Sequence, residues 1–338
     1  MNLNIENNIG YFTDIFKQIF MDIDNKDDIK VNNLPCELND YLRLLYKYSN
    51  KSILFNNEKT NVKKYNITNV NNKVLVGFSG GKDSIATAIK LIQKGYEPIL
   101  FHVKGINKSY PYEYKFAKQT AEYMKLEYIE VHVKLSGKTR FKENPTKNQM
   151  ILSMMVDYGI NKNIYKYSLG SSYLKDIKQT NILYDFSDAK EIYELMDKFY
   201  KHSIDKFEYL FIAGNSTDSY KTIYEYDKKI IDNMCSCMLP FRYKKNVIIA
   251  NKKKYKNIKL NEGMCGSCYK CCYQYIHLVL LGEYKLDTDY FKHCIKVLRK
   301  HALTIRHKVL PKEDIYVLRE YIDESMFDLK LLLIDKII

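Results

Sequence analysis

Between Lys73 and Gly214 the chain repeats one unit, a short β-branched run followed by an amphipathic helical stretch, and that repetition leaves few folds open. The runs are VLVGF (Val74 to Phe78), PILFHV (Pro98 to Val103), YIEVHV (Tyr128 to Val133), IYKYSLG (Ile164 to Gly170) and YLFIAG (Tyr209 to Gly214). Strands alternating with helices predict a parallel sheet with crossover helices. Helices are expected from about Ser84 to Lys94, closed by Gly95 as a C-cap glycine, and from about Tyr112 to Lys125. Right-handed crossovers then make a doubly wound, Rossmann-like α/β fold with five parallel strands the economical topology.

The flanks read differently. Residues 1–70 form a helical extension, whose first helix carries Phe12, Ile15, Phe16, Ile19 and Phe20 on one face. An Asn-rich stretch from Asn56 to Asn72 separates it from the central domain, residues 71–285. Residues 286–338 read as a C-terminal helical segment, with Phe291, Cys294, Ile295 and Leu298 on one face and Pro311 opening a further helix through Ile315, Leu318 and Ile322. A hydrophobic fraction of 46% and a charged fraction of 28% exclude a disordered or fibrous chain. No apolar run reaches the ~20 residues needed to cross a bilayer. The first residues, MNLNIENN, lack a basic-then-apolar signal, so a soluble cytoplasmic protein without a membrane partner is expected.

The net charge of +14 raises a nucleic-acid reading, since clustered cations displace counterions from phosphates. Over-used Lys, Asn, Ile and Tyr together with absent Trp fit a compositional bias better than a designed basic face. An RNA acceptor therefore ranks behind a small molecule.

The sharpest local signal is SGGKDS, Ser79 to Ser84, placed directly after one strand and directly before a helix. A helix N-terminus there offers N–H groups and a positive dipole end to an anion. Gly80 and Gly81 let backbone approach phosphate oxygens, and Ser79 and Ser84 add hydroxyl donors. Asp83 beside phosphates implies magnesium between them. Lys82 either faces solvent or contacts phosphate. The spacing is neither GxxxxGK[ST] nor GxGxxG, so a Walker loop and a dinucleotide site are both disfavoured. An ordinary glycine-rich turn is the competing reading, and the correct flanks on both sides argue against it.

Six of the eight cysteines fall between Cys235 and Cys272. CGSCYKCC sets Cys265, Cys268 and Cys271 at CxxCxxC spacing, which suits three thiolates on one tetrahedral ion. Zinc in a structural role is expected, an iron–sulfur cluster is the alternative, and spacing alone does not choose. Cys235 and Cys272 are neighbours or spares, His277 a substitute ligand, and Cys294 a core residue.

With these residues in place, the sequence resembles the PP-loop ATP pyrophosphatases, of the adenine nucleotide alpha hydrolase type. In that family the loop grips the β and γ phosphates, leaving the α phosphorus open to a nucleophile and making pyrophosphate the leaving group. Residues near the end of the second strand lie by the adenine, which here points to His102 and its neighbours Phe101 and Val103. Across about residues 73–275 the likeness is to the 7-cyano-7-deazaguanine synthases. These activate a purine-like carboxylate, 7-carboxy-7-deazaguanine, with ATP and use ammonia to form an amide and then a nitrile. The resemblance makes Lys147 and Asn148, in NPTKNQMILS, and Asp188, in FSDAKEIYELM, candidates for acceptor recognition, with Lys147 and Asn148 also joined to catalysis by Ser79, Asp83 and Ser84. It also makes Cys237, in SCMLP, the fourth metal ligand. The expected assembly is a homodimer.

Departures are visible. Lys147 stands where the family has Arg, Ala189 and Lys190 replace a Cys-Arg pair, and Gln274 stands where Arg often follows the cysteines. Arg and Lys differ at a bidentate site. A specialised paralogue, as in phage-defence operons, a tRNA-modifying enzyme that inserts sulfur or lysine, a protein acceptor and a non-catalytic ATP-binding subunit remain alternatives.

Overall fold

A computed structural model describes residues 2–5, 10–24, 29–32, 34–49, 53–56, 62–68, 71–105, 113–136, 146–170, 189–212, 216–234, 246, 249–251, 254–255 and 264–305. The chain divides into two compact units, Met1–Asn215 and Ser216–Ile338.

The first unit is built on a parallel sheet of β4 (Lys73–Gly77), β5 (Glu97–Lys104), β6 (Tyr128–Ser136), β7 (Lys166–Leu169) and β8 (Glu208–Tyr209). Their spatial order is β6-β5-β4-β7-β8, and every neighbouring pair is parallel. This is the expected doubly wound, Rossmann-like arrangement. The chain winds outward through α3 (Lys82–Gln93) and α4 (Glu113–Met124), then returns through α5 (Lys147–Lys162) to place β7 on the other side of β4 and continues through α6 (Lys190–Ser203). Right-handed crossovers running in opposite directions put α3 and α4 on one face and α5 and α6 on the other. Leu75, Ile99, Phe101 and Val103 point to the second face, where they share a core with Met154, Met155, Ile192 and Phe199.

Local chemistry sets the element ends. Gly95 follows α3 at φ +81°, its N–H bonds Ile92 O at 2.9 Å, and Tyr96 N–H bonds Leu91 O at 3.0 Å. Those paired bonds close the helix as a Schellman turn, at the glycine the sequence marks.

The N-terminal residues contain more than the helices expected of them. Helices α1 (Tyr11–Asp24) and α2 (Asn39–Ser49) form as predicted, and Phe12, Ile15, Phe16, Ile19 and Phe20 are all buried. In addition β1 (Asn2–Ile5) pairs antiparallel with β6, and β2 (Ile29–Asn32) pairs in parallel with β3 (Ile53–Asn56). By capping the β6 edge, β1 removes a row of unpaired backbone groups. Helix α1 lies along α5, where the buried Asp157 carboxylate accepts the N–H of Phe12 at 3.2 Å and of Thr13 at 2.6 Å. An anion at a helix N-terminus satisfies orphan donors and opposes the dipole. Gly10, at φ +147°, allows the approach, because a Cβ there would lie 2.9 Å from the carboxylate.

The second unit holds α7 (Ser216–Asp227), α8 (Ile230–Asn233), α9 (Tyr269–Leu280) and α10 (Thr288–Ile305). Its core joins Cys265, Cys271, Cys272, Ile276 and Val279 to Tyr290, Phe291, Cys294, Ile295 and Leu298, so the predicted face of α10 is indeed packed inward. The helix expected beyond Pro311 lies outside the described residues. Among the described residues, no helix is long and apolar enough to cross a membrane.

Candidate functional site

Strand β4 occupies the middle of the parallel sheet, and the winding reverses between β4 and β7. In open α/β sheets ligands bind at the carboxyl edge of such a reversal, because the flanking loops part there. The segment Ser79–Ser84 is the loop that leaves β4 at this edge and enters α3.

Its conformation follows from its two glycines, which do different things. Gly80 has φ +70°, and a Cβ on it would lie 2.8 Å from Ala117 Cα and 2.9 Å from Ala117 N. Gly81 is extended at φ −89° and ψ 163° and serves as the N-cap of α3, with no side-chain cap bond. Within the loop, Ser79 N–H reaches Ser84 Oγ at 3.3 Å, Gly81 N–H reaches Ser79 Oγ at 3.4 Å, and Ser84 Oγ–H donates to Gly81 O at 3.0 Å. Bonds from N–H at 3.3–3.4 Å are long against the usual ~2.9 Å and are readily exchanged for a better acceptor. Lys82 folds back onto Asp83, Nζ to Oδ1 at 2.5 Å, with only 16% of its side chain exposed, so of its two expected positions the solvent-facing one is not adopted.

Neighbouring strands frame the loop. His102 is buried, and its Nδ1–H donates to Phe78 O at 2.8 Å, the carbonyl just ahead of Ser79. That bond spends the ring nitrogen nearest the loop on backbone support. Across β7, Gly170 packs so closely on α3 that a Cβ would lie 2.4 Å from Ser84 Cα. Lys147 and Asn148 open α5, which begins at the same carboxyl edge; Ile151, one turn on, lies within 3.8 Å of a Cβ built on Gly77. Asp188 lies outside the described residues.

In the second unit Cys265, Cys268 and Cys271 bring their sulfurs within 4.8 Å of one another. The Sγ separations are 3.8 Å for Cys265–Cys271 and 3.4 Å for Cys268–Cys271. Backbone N–H groups of Ser267 and Cys268 point at Cys265 Sγ at 3.4 and 3.3 Å, and Cys265 N–H points at Cys271 Sγ at 3.3 Å. Donors aimed at sulfur favour the thiolate, the form that ligates metal. Outer contacts fix the turn: Asn251 Nδ2 donates to Cys265 O at 2.7 Å and Ser267 Oγ at 2.8 Å, while Tyr290 Oη–H donates to Gly266 O at 2.8 Å. These three cysteines can hold a metal ion such as zinc.

The remaining sulfur and nitrogen candidates separate from this group. Cys272 is hydrogen-bonded with Cys294 and buried, which together push its thiol above its usual range, and it lies outside the group of three sulfurs. His277 is stacked against Tyr220 at 4.9 Å and edge-on to Tyr273 at 4.4 Å, and it does not join the three sulfurs. Cys237 and Cys235 lie outside the described residues.

Two features had no sequence signal. One is the polar patch on β5 and β6, where Glu130 receives Lys104 Nζ at 3.1 Å and faces His132 Nε2 at 2.7 Å. The parallel register that sets Lys104 beside His132 is what makes it. The other is an aromatic group at the end of β8, in which Tyr209 and Phe211 rings lie 4.7 Å apart and Tyr193 lies 5.2 Å from Tyr209.

No family model matches the sequence, and no curated protein matches it. Among solved structures it is similar to a protein described as a predicted subunit of tRNA methyltransferase from Methanocaldococcus jannaschii. The two share 21% identity over 46% of this chain and 73% of that one, with a TM-score of 0.28, too low to carry a conclusion about activity.

Proposed function

We propose that the chain binds ATP through the loop Ser79–Ser84 and transfers adenylate to a carboxylate, releasing pyrophosphate, so that ammonia displaces AMP to give an amide, which adenylation by a second ATP would carry on to a nitrile. The observation that carries this reading is the loop's position: a glycine-paired turn at the carboxyl edge of the central strand, at the winding reversal, on a helix N-terminus without a side-chain cap. Ser79 and Ser84 hydroxyls and the α3 N-terminus would hold the β and γ phosphates, stabilising charge that grows on the leaving pyrophosphate. A magnesium ion bound beside Asp83 would supply charge neutralisation along the phosphate chain. Lys82, already folded onto Asp83, would then turn from that carboxylate toward phosphate. Lys147 and Asn148, at the same edge, would orient the acceptor carboxylate for in-line attack.

The test is incubation with ATP, magnesium, ammonium and 7-carboxy-7-deazaguanine, followed by mass spectrometry. AMP appearing with amide or nitrile supports the reading. ADP as the nucleotide product overturns it, and AMP formed only after tRNA is added moves the chain to the tRNA-modifying alternative.

A further inference from the structure

Two groups of aromatic rings lie along the α6 face of the sheet, one in the core and one that reaches solvent. Tyr200 and Tyr167 stack on Phe207 at 4.9 and 5.2 Å, and all three rings are buried. Next come Tyr193, from the first turns of α6, and Tyr209, from β8; the last ring, Phe211, keeps 42% of its surface exposed. Its position is fixed from behind: Tyr209 meets it at 4.7 Å and 64°, and Tyr193 at 5.6 Å and 83°. Both contacts are edge-to-face, a favoured geometry that holds a ring in place.

A single exposed phenylalanine normally needs no explanation. The setting of this one asks for one. Leu169 N–H donates to Tyr209 Oη at 3.1 Å, so the ring that backs Phe211 is bonded to the last residue of β7. The following residue, Gly170, packs on Ser84. One strand, β7, therefore separates the strand that leads to the exposed ring from the strand that leads to the loop. Helix α5, carrying Lys147 and Asn148, starts on the same face and at the same edge.

We propose that Phe211, backed by Tyr209 and Tyr193, is the stacking wall for the flat heteroaromatic ring of a small-molecule acceptor. This rests on the adenylating reading, which needs an acceptor beside the α phosphorus. The wall accounts for the ring and leaves the carboxylate to Lys147 and Asn148. An aliphatic acid has no flat face to offer it.

The chain contains no tryptophan, so Phe211→Trp installs a single fluorescent reporter at the wall. Titration of that variant with 7-carboxy-7-deazaguanine, in the presence of magnesium and α,β-methylene-ATP, should change the tryptophan emission saturably, and titration with glutamate should not. In the otherwise native chain, Phe211→Ala should weaken calorimetric binding of the same acid about 10- to 100-fold, as loss of one base–aromatic stack does. Phe211→Tyr should restore it, and binding of α,β-methylene-ATP should stay unchanged in both. Unaltered acid binding in Phe211→Ala with nucleotide binding intact overturns the wall and spares the loop. So does emission that responds to tRNA but to no free planar acid. Failure of the native chain to bind the nucleotide overturns the adenylating reading, and the wall with it.

Discussion

The phosphate-type loop and the cysteine turn are built on one backbone plan and put it to opposite uses. In each, a glycine with positive φ (Gly80 at +70°, Gly266 at +75°) is followed by an extended N-cap (Gly81 with ψ 163°, Cys268 with ψ 157°) and then by a helix. Both N-caps lack a side-chain cap bond. In the cysteine turn the N–H groups point at the chain's own sulfurs, so the anion they favour is built in. In the loop they rest on serine hydroxyls at 3.3 and 3.4 Å, contacts weak enough to give way to an incoming anion. In the proposed reading one helix start is a structural clamp and the other is a receptor. The contrast is one of what the donors find, not of how they are presented.

Metal removal should break the pair apart most strongly. Structural zinc supplies on the order of 10 kcal/mol in small metal-stabilised units, so stripping the ion with a chelator, or Cys268→Ser, should loosen the core of α9 and α10. Hydrogen exchange would show lost protection across residues 264–305 with residues 73–104 unaffected, alongside loss of one metal equivalent by elemental analysis. Protection unchanged after complete stripping would mean the turn is held by packing alone.

Next in size is the loop glycine. Gly80→Ala forces a side chain into positive φ, about 1–2 kcal/mol, and against the Ala117 backbone, about 1–3 kcal/mol more. Thermal melting should register the sum, and calorimetry should register at least a tenfold loss of ATP affinity. Gly81→Ala, at an ordinary extended φ, should cost the fold well under half as much. Equal melting losses for the two variants would show that the loop is not in this conformation.

That distinction was beyond the sequence, where Gly80 and Gly81 are the same letter twice. What the sequence carried well was local. The first four β-branched runs, the glycine ending α3 and the CxxCxxC turn all depend on neighbours within a few residues, and each is where its spacing put it. Non-local features were lost. Strand β1, NLNI, alternates polar and apolar over only four residues, too short a run to stand out; it exists because β6 offers an edge more than 120 positions away. Strand β8 was expected over Tyr209 to Gly214; among the described residues it forms at Glu208–Tyr209, where Lys166 and Tyr167 of β7 register with it. Asp157 carries no local signal of its role, since the N–H groups it accepts lie 144 and 145 residues earlier.

Asp157 gives the comparison a third member, an anion from the protein's own core held on the α1 N-terminus. Burial pushes its carboxyl above the ordinary range, against the pull of the Thr13 and Phe12 N–H bonds. Asp157→Ala would leave those two buried donors without their acceptor, for a loss of about 1–3 kcal/mol. Asp157→Asn keeps one acceptor oxygen, sets its amide NH2 against the other buried N–H and removes the charge, so it should lose as much as the Ala variant or less. Melting temperatures of the two variants show whether one retained acceptor holds the α1 N-terminus. A loss in Asn well below that in Ala means that one hydrogen bond carries most of the contribution; equal losses mean that both carboxylate oxygens are needed.

Glu130 supplies the contrast with no helix end, a carboxylate held by side-chain cations near the surface. Burial pushes its carboxyl up, but the hydrogen bonds from His132 and Lys104 outweigh that and leave it below its ordinary value of 4.5. A carboxylate depressed in the folded state contributes stability above its unfolded value, and that contribution disappears as pH falls through the folded one. Native chain and Glu130→Gln should therefore differ in melting temperature near neutral pH and converge below about pH 4. The gap should lie within the ~0–1 kcal/mol typical of exposed ion pairs and shrink with added salt. Its smallness follows from geometry: Lys104 and His132 are 34% and 43% exposed, so water competes for both groups. A gap that survives high salt, or that persists undiminished below about pH 4, would mean that the β5–β6 patch is held by something other than these charges.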